Sequence, residues 1–312
     1  MNQETNTRKL AIIGGGPAGM TASIYASRYK VTHLIVSPIF GGAAREAHQI
    51  ENWPGIPQIK GSDLMDRMWE HAKSYNPEIL KEEIKGVLKT ETGFRILTSK
   101  GKEIDCLSII FAGGTQHNRL TIPGEQSLLG RGVSYCATCD GTFFKGKNIA
   151  VVGGANSAIM AAMELSQHVN HIYLVFRGTE LKGEPIWIDR VMNNEKITLV
   201  PSTNLLSIEG NGRVEKIKLD KLFDGKNEIS LEGVFIEIGV TPLVDIIKDL
   251  KVNLDNIGNV IVDAKGNTNI PGLFAAGDAT TGSGGFRQII TASAEGAIAS
   301  RSAFEYLKEK GE

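Results

Sequence analysis

The stretch KLAIIGGGPAGMTASIYASRYKVTHLIVS, Lys9 to Ser37, constrains this chain more than any other part of it. An apolar run (Lys9–Ile13) leads into Gly14-x-Gly16-x-x-Gly19, a segment of small residues follows (Ala18–Arg28), and a second apolar run closes the unit (Thr32–Val36). Read as strand, helix and strand, this is the context in which a G-x-G-x-x-G pattern carries weight. Gly14 serves the tight turn, Gly16 lets backbone approach a pyrophosphate, and Gly19 lets helix and strand pack closely. The helix N-terminus then faces the phosphates. The sequence thus predicts a dinucleotide-binding unit here, with Ser37 standing where an acidic ribose ligand is more usual.

The same plan returns downstream. Asn148–Val152 reads as a strand, Gly153-Gly154-Ala155-Asn156-Ser157-Ala158 as a turn, the residues to about His168 as a helix, and His171–Phe176 as a strand. The lag from Gly14 to Gly153 is too long for neighbouring units of one sheet, so two domains are expected. The predicted fold class is α/β, with two Rossmann-like nucleotide-binding domains. Ala155 replaces the second glycine of this turn.

A third glycine cluster, NIPGLFAAGDATTGSGGFRQIITASAEGAIAS, places Asp278 after a hydrophobic strand and Arg287-Gln288 at the opening of a small-residue helix. An aspartate there can hydrogen-bond the hydroxyls of a ribityl chain, and a helix N-terminus can stabilise negative charge on a reduced ring. Between the two nucleotide folds lies GRGVSYCATCDGTFFKGK, whose C-x-x-C is either a redox dithiol or half a zinc site. Zinc needs two further ligands, and Cys106, His117, His168 and His171 are not spaced to supply them. No metal is expected.

Composition narrows the class. The net charge of -1 gives no broad footprint for nucleic acid. The first ten residues are polar without an apolar h-region, and no run of about 18 apolar residues occurs, so neither a membrane span nor a secretory signal is expected. Three cysteines are too few for a secreted disulfide framework. A cytoplasmic location follows as the expectation.

The ordered set of GGGPAG, ENWPG (Glu51–Gly55), SYCATCDG, GG-x-NSA and LFAAGDATTG…GFRQ resembles the low-molecular-weight thioredoxin reductases over essentially the whole chain. That resemblance implies an FAD domain in two pieces, residues 1–118 and 246–312, interrupted by a dithiol-bearing NAD(P)-binding-like domain, 119–245. Hinges near His117–Leu120 and Thr241–Val244 would let the smaller domain turn, and a homodimer is expected. Cys139 would be the sulfur facing the flavin, Cys136 the one attacking a thioredoxin- or glutaredoxin-like partner, and Asp140 the general acid/base, though Asp-Gly is also a common turn former. The resemblance assigns FAD binding to Gly14, Gly16, Ala18, Gly19, Gly42, Asn52, Gly277, Asp278, Arg287 and Gln288. The family usually follows its Gly-Gly with Gln-Leu and threonines, whereas Gly41-Gly42 lead here into AAREAHQ. His48 in this stretch reads as a surface or structural histidine before it reads as a ring contact.

The second strand of the downstream unit bears on the electron donor. NADPH-using relatives carry a His-Arg-Arg run and a further basic residue that clamp the 2′-phosphate. This chain reads VFRGTELKG, with Phe176 for the histidine, Gly178 for the second arginine, and Arg177 and Lys182 retained. Each lost bond to a charged group is worth about 1.5–3 kcal/mol, and a methyl at Ala155 adds about 1–3 kcal/mol of overpacking. A total of about 3–6 kcal/mol weakens binding by roughly two to four decades. The expected reading is an FAD-dependent protein-disulfide reductase whose donor is ferredoxin or a reduced deazaflavin. Lys145, Lys147, Arg119 and Arg131 could form a patch for an acidic protein donor, although scattered basic residues commonly just solvate a face. The alternatives are an ordinary NADPH-dependent thioredoxin reductase working through Arg177 and Lys182, an oxygen-dependent thiol oxidase, and a flavin redox sensor.

Overall fold

The structure, a computed structural model, describes residues 7–47 and 50–312. It divides into two compact units, Met1–Gln116 with Thr241–Glu312, and His117–Val240. His48 lies outside the described residues.

The first unit opens with β1 (Arg8–Gly15), α1 (Pro17–Arg28) and β2 (His33–Phe40). Proline stands at the first helical position of α1, where its fixed φ suits the helix and its missing N–H costs nothing. After α2 (Gly61–Lys73) come β3 (Glu78–Leu80), β4 (Ile84–Lys89), β5 (Phe94–Thr98) and β6 (Glu103–Phe111). The sheet runs β3-β2-β1-β6-β5-β4. β1 pairs in parallel with β2 and β6, while β4, β5 and β6 form an antiparallel ribbon.

Alternation along β1 divides the core. Leu10 and Ile12 face a layer holding Ala22 and Ala26 of α1, and Ala11 and Ile13 face the opposite layer with Phe111 and Ile247.

β7 (Thr115–His117) carries the chain into the second unit, which begins with β8 (Val133–Ser134) and the one-turn helix α3 (Ala137–Asp140). Then follow β9 (Asn148–Val152), α4 (Asn156–Leu165), β10 (His171–Val175), α5 (Pro185–Met192) and β11 (Ile197–Val200). β12 (Leu205–Glu209), β13 (Lys216–Phe223) and β14 (Lys226–Ser230) make an antiparallel sheet, and β15 (Gly233–Ile236) returns to the parallel one, ordered β11-β10-β9-β15-β8. Both units are thus α/β, each built on a parallel βαβ start, with the antiparallel β4 and β5 extending the first unit's sheet.

β16 (Val240–Pro242) leads back to the first unit, closed by β17 (Leu273–Ala275), which pairs with the C-terminal half of β6, and α6 (Ile289–Glu309). α6 packs on α1 through small residues: a Cβ at Gly296 would lie 2.1 Å from the Ala18 carbonyl oxygen. Leu243 N–H donates to the Gly114 carbonyl inside the first unit, so the returning chain joins it before residue 246. No helix among the described residues is long and apolar enough to cross a membrane.

Candidate active site

The first glycine turn has the geometry its spacing demands. Gly14 sits at φ +118°, and a Cβ on it would lie 2.0 Å from the Ala112 carbonyl oxygen. A Cβ on Gly19 would lie 1.9 Å from the Gly14 oxygen. A Cβ on Gly16 would meet nothing within 4 Å, so the turn is packed tightly beneath and open above. That open side borders a cavity of about 390 Å³ whose wall includes Gly14, Gly16, Ser37, Gly42, Gly277, Asp278 and Gln288. A bare backbone at the N-terminus of a 12-residue helix, opening into a cavity of this size, fits a dinucleotide such as FAD.

The other residues expected at the flavin take supporting places. Ala18 is buried beneath Gly277, where a Cβ would come within 3.0 Å of its methyl. Gly19 lies behind the turn. Asn52 donates to Gln288 Oε1 at 2.9 Å, joining the ENWPG loop to the start of α6. Arg287 stands behind the cavity wall, with Nε donating to the Asp278 carbonyl at 3.1 Å and Nη2 to Asn259 Oδ1 at 2.9 Å. Burial raises the Asp278 carboxyl above its ordinary range; Arg287 draws it down and Glu295 pushes it up.

Sequence reading missed two acids of this unit. Glu295 Oε2 accepts from Gly277 N–H and from Thr280 Oγ1, each at 2.8 Å, and so holds the AAGD turn to α6. Its signal was a lone charge in the small-residue run TASAEGAIAS. Glu82 lines the cavity, pairs with Lys102 at 2.5 Å, and keeps a buried Oε2 without a hydrogen-bond partner among the described residues.

The dithiol turn belongs to the second unit. Cys136 and Cys139 form a disulfide that closes α3, and Cys139 N–H donates to Cys136 Sγ at 3.1 Å. Ser134 Oγ accepts from Cys136 N–H at 3.0 Å, and Asp140 N–H reaches the Cys136 carbonyl at 3.2 Å. Cys139 is exposed, Cys136 and Asp140 are half-buried, and Phe143 is 73% exposed. Thr138, between the two sulfurs, donates its hydroxyl to Glu164 Oε2 of α4 at 3.0 Å. Burial pushes the Glu164 carboxyl up to about 7. Cys106 lies buried in the other unit, its thiol pushed up to about 12 mainly by desolvation. No cluster of three or more potential metal ligands occurs among the described residues.

The second glycine turn differs from the first above the backbone. Gly153 has φ +142°, and a Cβ there would lie 2.1 Å from the Glu237 carbonyl oxygen, so the tight turn itself is retained. Phe176 is buried and packs on Gly154, whose missing Cβ would come 3.0 Å from the Phe176 Cβ. Lys182 N–H donates to the Gly154 carbonyl at 2.7 Å, and Glu184 N–H to Asn156 Oδ1 at 2.7 Å. The segment after β10 is thereby tied to the turn and to the first residue of α4. Arg177, Lys182 and Ala155 are exposed.

Residues 8–296 match the model of one protein family, described as pyridine nucleotide-disulphide oxidoreductase. The chain belongs to that family. Among its relatives is the thioredoxin reductase of Listeria innocua, 37% identical over 312 residues that cover 99% of this chain and 97% of that one. The solved thioredoxin reductase of Lactococcus lactis is 34% identical, covers 97% of this chain and all of its own, and superposes with a TM-score of 0.92. A ferredoxin-flavin thioredoxin reductase from Clostridium acetobutylicum is 29% identical over 98% of this chain and 99% of its own, with a TM-score of 0.55. This member of the pyridine nucleotide-disulphide oxidoreductases is thus a thioredoxin reductase-like disulfide reductase, an FAD-dependent type of enzyme.

Proposed function

We propose that this enzyme reduces the disulfide of a thioredoxin- or glutaredoxin-like protein through Cys136 and Cys139, drawing electrons from a low-potential carrier such as reduced ferredoxin or a reduced deazaflavin. The observation that carries the donor assignment is the second glycine turn. Phe176 is committed to the core where a phosphate ligand would be needed, and Gly178 offers no side chain. The similarity to a ferredoxin-flavin thioredoxin reductase over nearly the whole chain supports the same reading.

Gly14, Gly16, Gly42, Gly277, Asp278 and Gln288 would hold the FAD, with Asn52, Glu295 and Arg287 fixing the loops they stand on. Bound there, FAD supplies two electrons for the disulfide. In the reduced pair, the Cys136 thiolate attacks the partner's disulfide, forming a mixed disulfide and expelling one partner sulfur. Asp140 gives that sulfur its proton. Cys139 then attacks Cys136 Sγ, its proton passing to the partner's second sulfur as that sulfur is expelled, so the pair closes again and the partner leaves with two thiols. Exposed Phe143 gives a protein partner an apolar foothold. The assembly is proposed to be a cytoplasmic homodimer.

Exposed Arg177 and Lys182 and the family's pyridine-nucleotide name favour a second reading, an NADPH-dependent reductase with a weakened site. The core reading is tested with dithionite-reduced holoenzyme and thioredoxin under anaerobic conditions. Thioredoxin thiols should appear, Cys136→Ser should abolish them, and Cys139→Ser should trap the partner as a mixed disulfide. Equal activity in both variants contradicts the assigned roles.

A further inference from the structure

Helix α4 presents Ala158, Ile159, Ala161, Ala162 and Leu165 to the core, and Glu164 sits half-buried at the margin of that face. A carboxylate withdrawn from water is costly unless something bonds to it. The bond comes from the Thr138 hydroxyl at 3.0 Å, and Thr138 lies inside the ring that the Cys136–Cys139 disulfide closes. The acid is therefore one hydrogen bond from the backbone turn that carries both reactive sulfurs.

We propose that Glu164 is a positioning residue for the dithiol, setting through Thr138 the pH range over which the pair becomes nucleophilic. The inference rests on the pair being redox-active, but it concerns only the pair and its neighbours within one unit.

Burial and the Thr138 hydroxyl act on Glu164 in opposite senses. Burial drives its carboxyl up to about 7, and the Thr138 hydroxyl favours the ionised form. The charged or titratable groups on the surrounding elements are Asp140 on α3, Lys145 and Lys147 beyond it, His168 past the C-terminal end of α4, His171 on β10, Asp189 and Arg190 on α5, and Lys196 before β11, whose Nζ donates to the Ser166 and Val169 carbonyls. Arg190 is stacked over Trp187 at 4.2 Å and His171 bonds Thr198 at 2.9 Å. Of the influences on its proton, burial is the largest. Near neutrality the side chain changes charge: as a carboxylate it opposes a thiolate on the adjacent turn, and as a neutral acid it does not. Proton loss from Cys136 and proton loss from Glu164 thus hinder each other, and both spread over a wider pH range than either alone.

Alkylation of the holoenzyme by iodoacetamide reads this directly. In a Cys139→Ser background Cys136 is the free thiol of the turn, and Cys106 is buried. The thiolate displaces iodide to form a thioether, so the rate follows the thiolate fraction. With Glu164 present, rate against pH should rise over a stretched range. Glu164→Gln keeps an acceptor for Thr138 but removes the charge, and should give a single-group curve about threefold to tenfold faster near pH 7.5, a shift of about half to one pKa unit. Thr138→Val removes a bond that favours ionised Glu164, and should keep the stretched profile with its lower inflection moved upward. Superimposable profiles for Glu164 and Glu164→Gln overturn the proposal, as does a Thr138→Val profile identical to its parent. Failure of the redox reading is distinguishable, because thioredoxin would then stay oxidised with every variant while the alkylation curves remain measurable.

Discussion

The two glycine turns start from one plan and diverge at the surface that would meet a nucleotide. Both hold a glycine at positive φ whose Cβ would strike a carbonyl oxygen, Ala112 at 2.0 Å in the first and Glu237 at 2.1 Å in the second. Both open a helix that packs on its strand. Above Gly16 lies open space and a cavity of about 390 Å³. At the second turn the equivalent residue carries a methyl, the next strand ends in a buried phenylalanine, and the following segment is hydrogen-bonded back to Gly154 and Asn156. The backbone requirements of the fold and the side-chain requirements of a ligand are separable. The first set persists wherever the βαβ unit must fold; the second is free to change once the ligand is not needed.

This contrast can be broken most severely at Gly14. Gly14→Ala must force a Cβ against the Ala112 carbonyl in a backbone conformation that alanine resists, and should cost about 3–5 kcal/mol of stability together with most of the bound flavin. Urea unfolding and flavin absorbance measure both. Next, the pair Ala155→Gly with Gly178→Arg leaves Phe176 in its core and restores open backbone and one phosphate ligand. It should improve flavin reduction by NADPH by about 2–3 kcal/mol in apparent affinity; an unchanged half-saturation would mean that the segment tied to Gly154 blocks the site by itself.

A third test concerns stability against pH. The Glu164 carboxyl titrates near 7 in the folded protein against an ordinary value of 4.5, so the folded state binds the extra proton between them. Stability from this group is then fully present below about 4.5 and is lost as pH rises through about 7, by about 1–3 kcal/mol. Glu164→Gln should flatten that part of the profile, and an unaltered slope in urea melts would contradict the burial argument. The smallest effect is expected from Gly16→Ala. Its methyl points into open space, so the protein without flavin should change by less than about 0.5 kcal/mol, while flavin affinity falls. A stability loss as large as that of Gly14→Ala would show that the two glycines do the same work.

Much of the scaffold was legible because it rests on local rules. The strand-turn-helix-strand order around Gly14 and Gly153 follows from glycine spacing and apolar runs, and β9 has the ends that the sequence suggests. Where long-range contacts decide, sequence reading went less far. β2 continues past Pro38 to Phe40 because pairing resumes between Gly15 and Phe40 after an irregularity, which no local pattern signals. α4 ends at Leu165, short of His168, where the chain turns on bonds to the Leu165 carbonyl. Arg287 also braces Asp278, 9 residues away, and Asn259, 28 residues away, and the second of these partners no local pattern signals. Glu164 and Glu295 carried a readable sign, a single charge on a face of small residues, but their partners Thr138 and Gly277 come from distant segments.

The central claim is that the first turn holds the redox nucleotide while the second no longer serves a nicotinamide donor. It is tested by adding NADPH anaerobically to the oxidised yellow protein and following the flavin absorbance, with dithionite or reduced ferredoxin as the comparison. The account predicts slow or no bleaching by NADPH even at millimolar concentration, and prompt bleaching by the low-potential reductants with thioredoxin reduced in turn. Bleaching within a second at micromolar NADPH contradicts it.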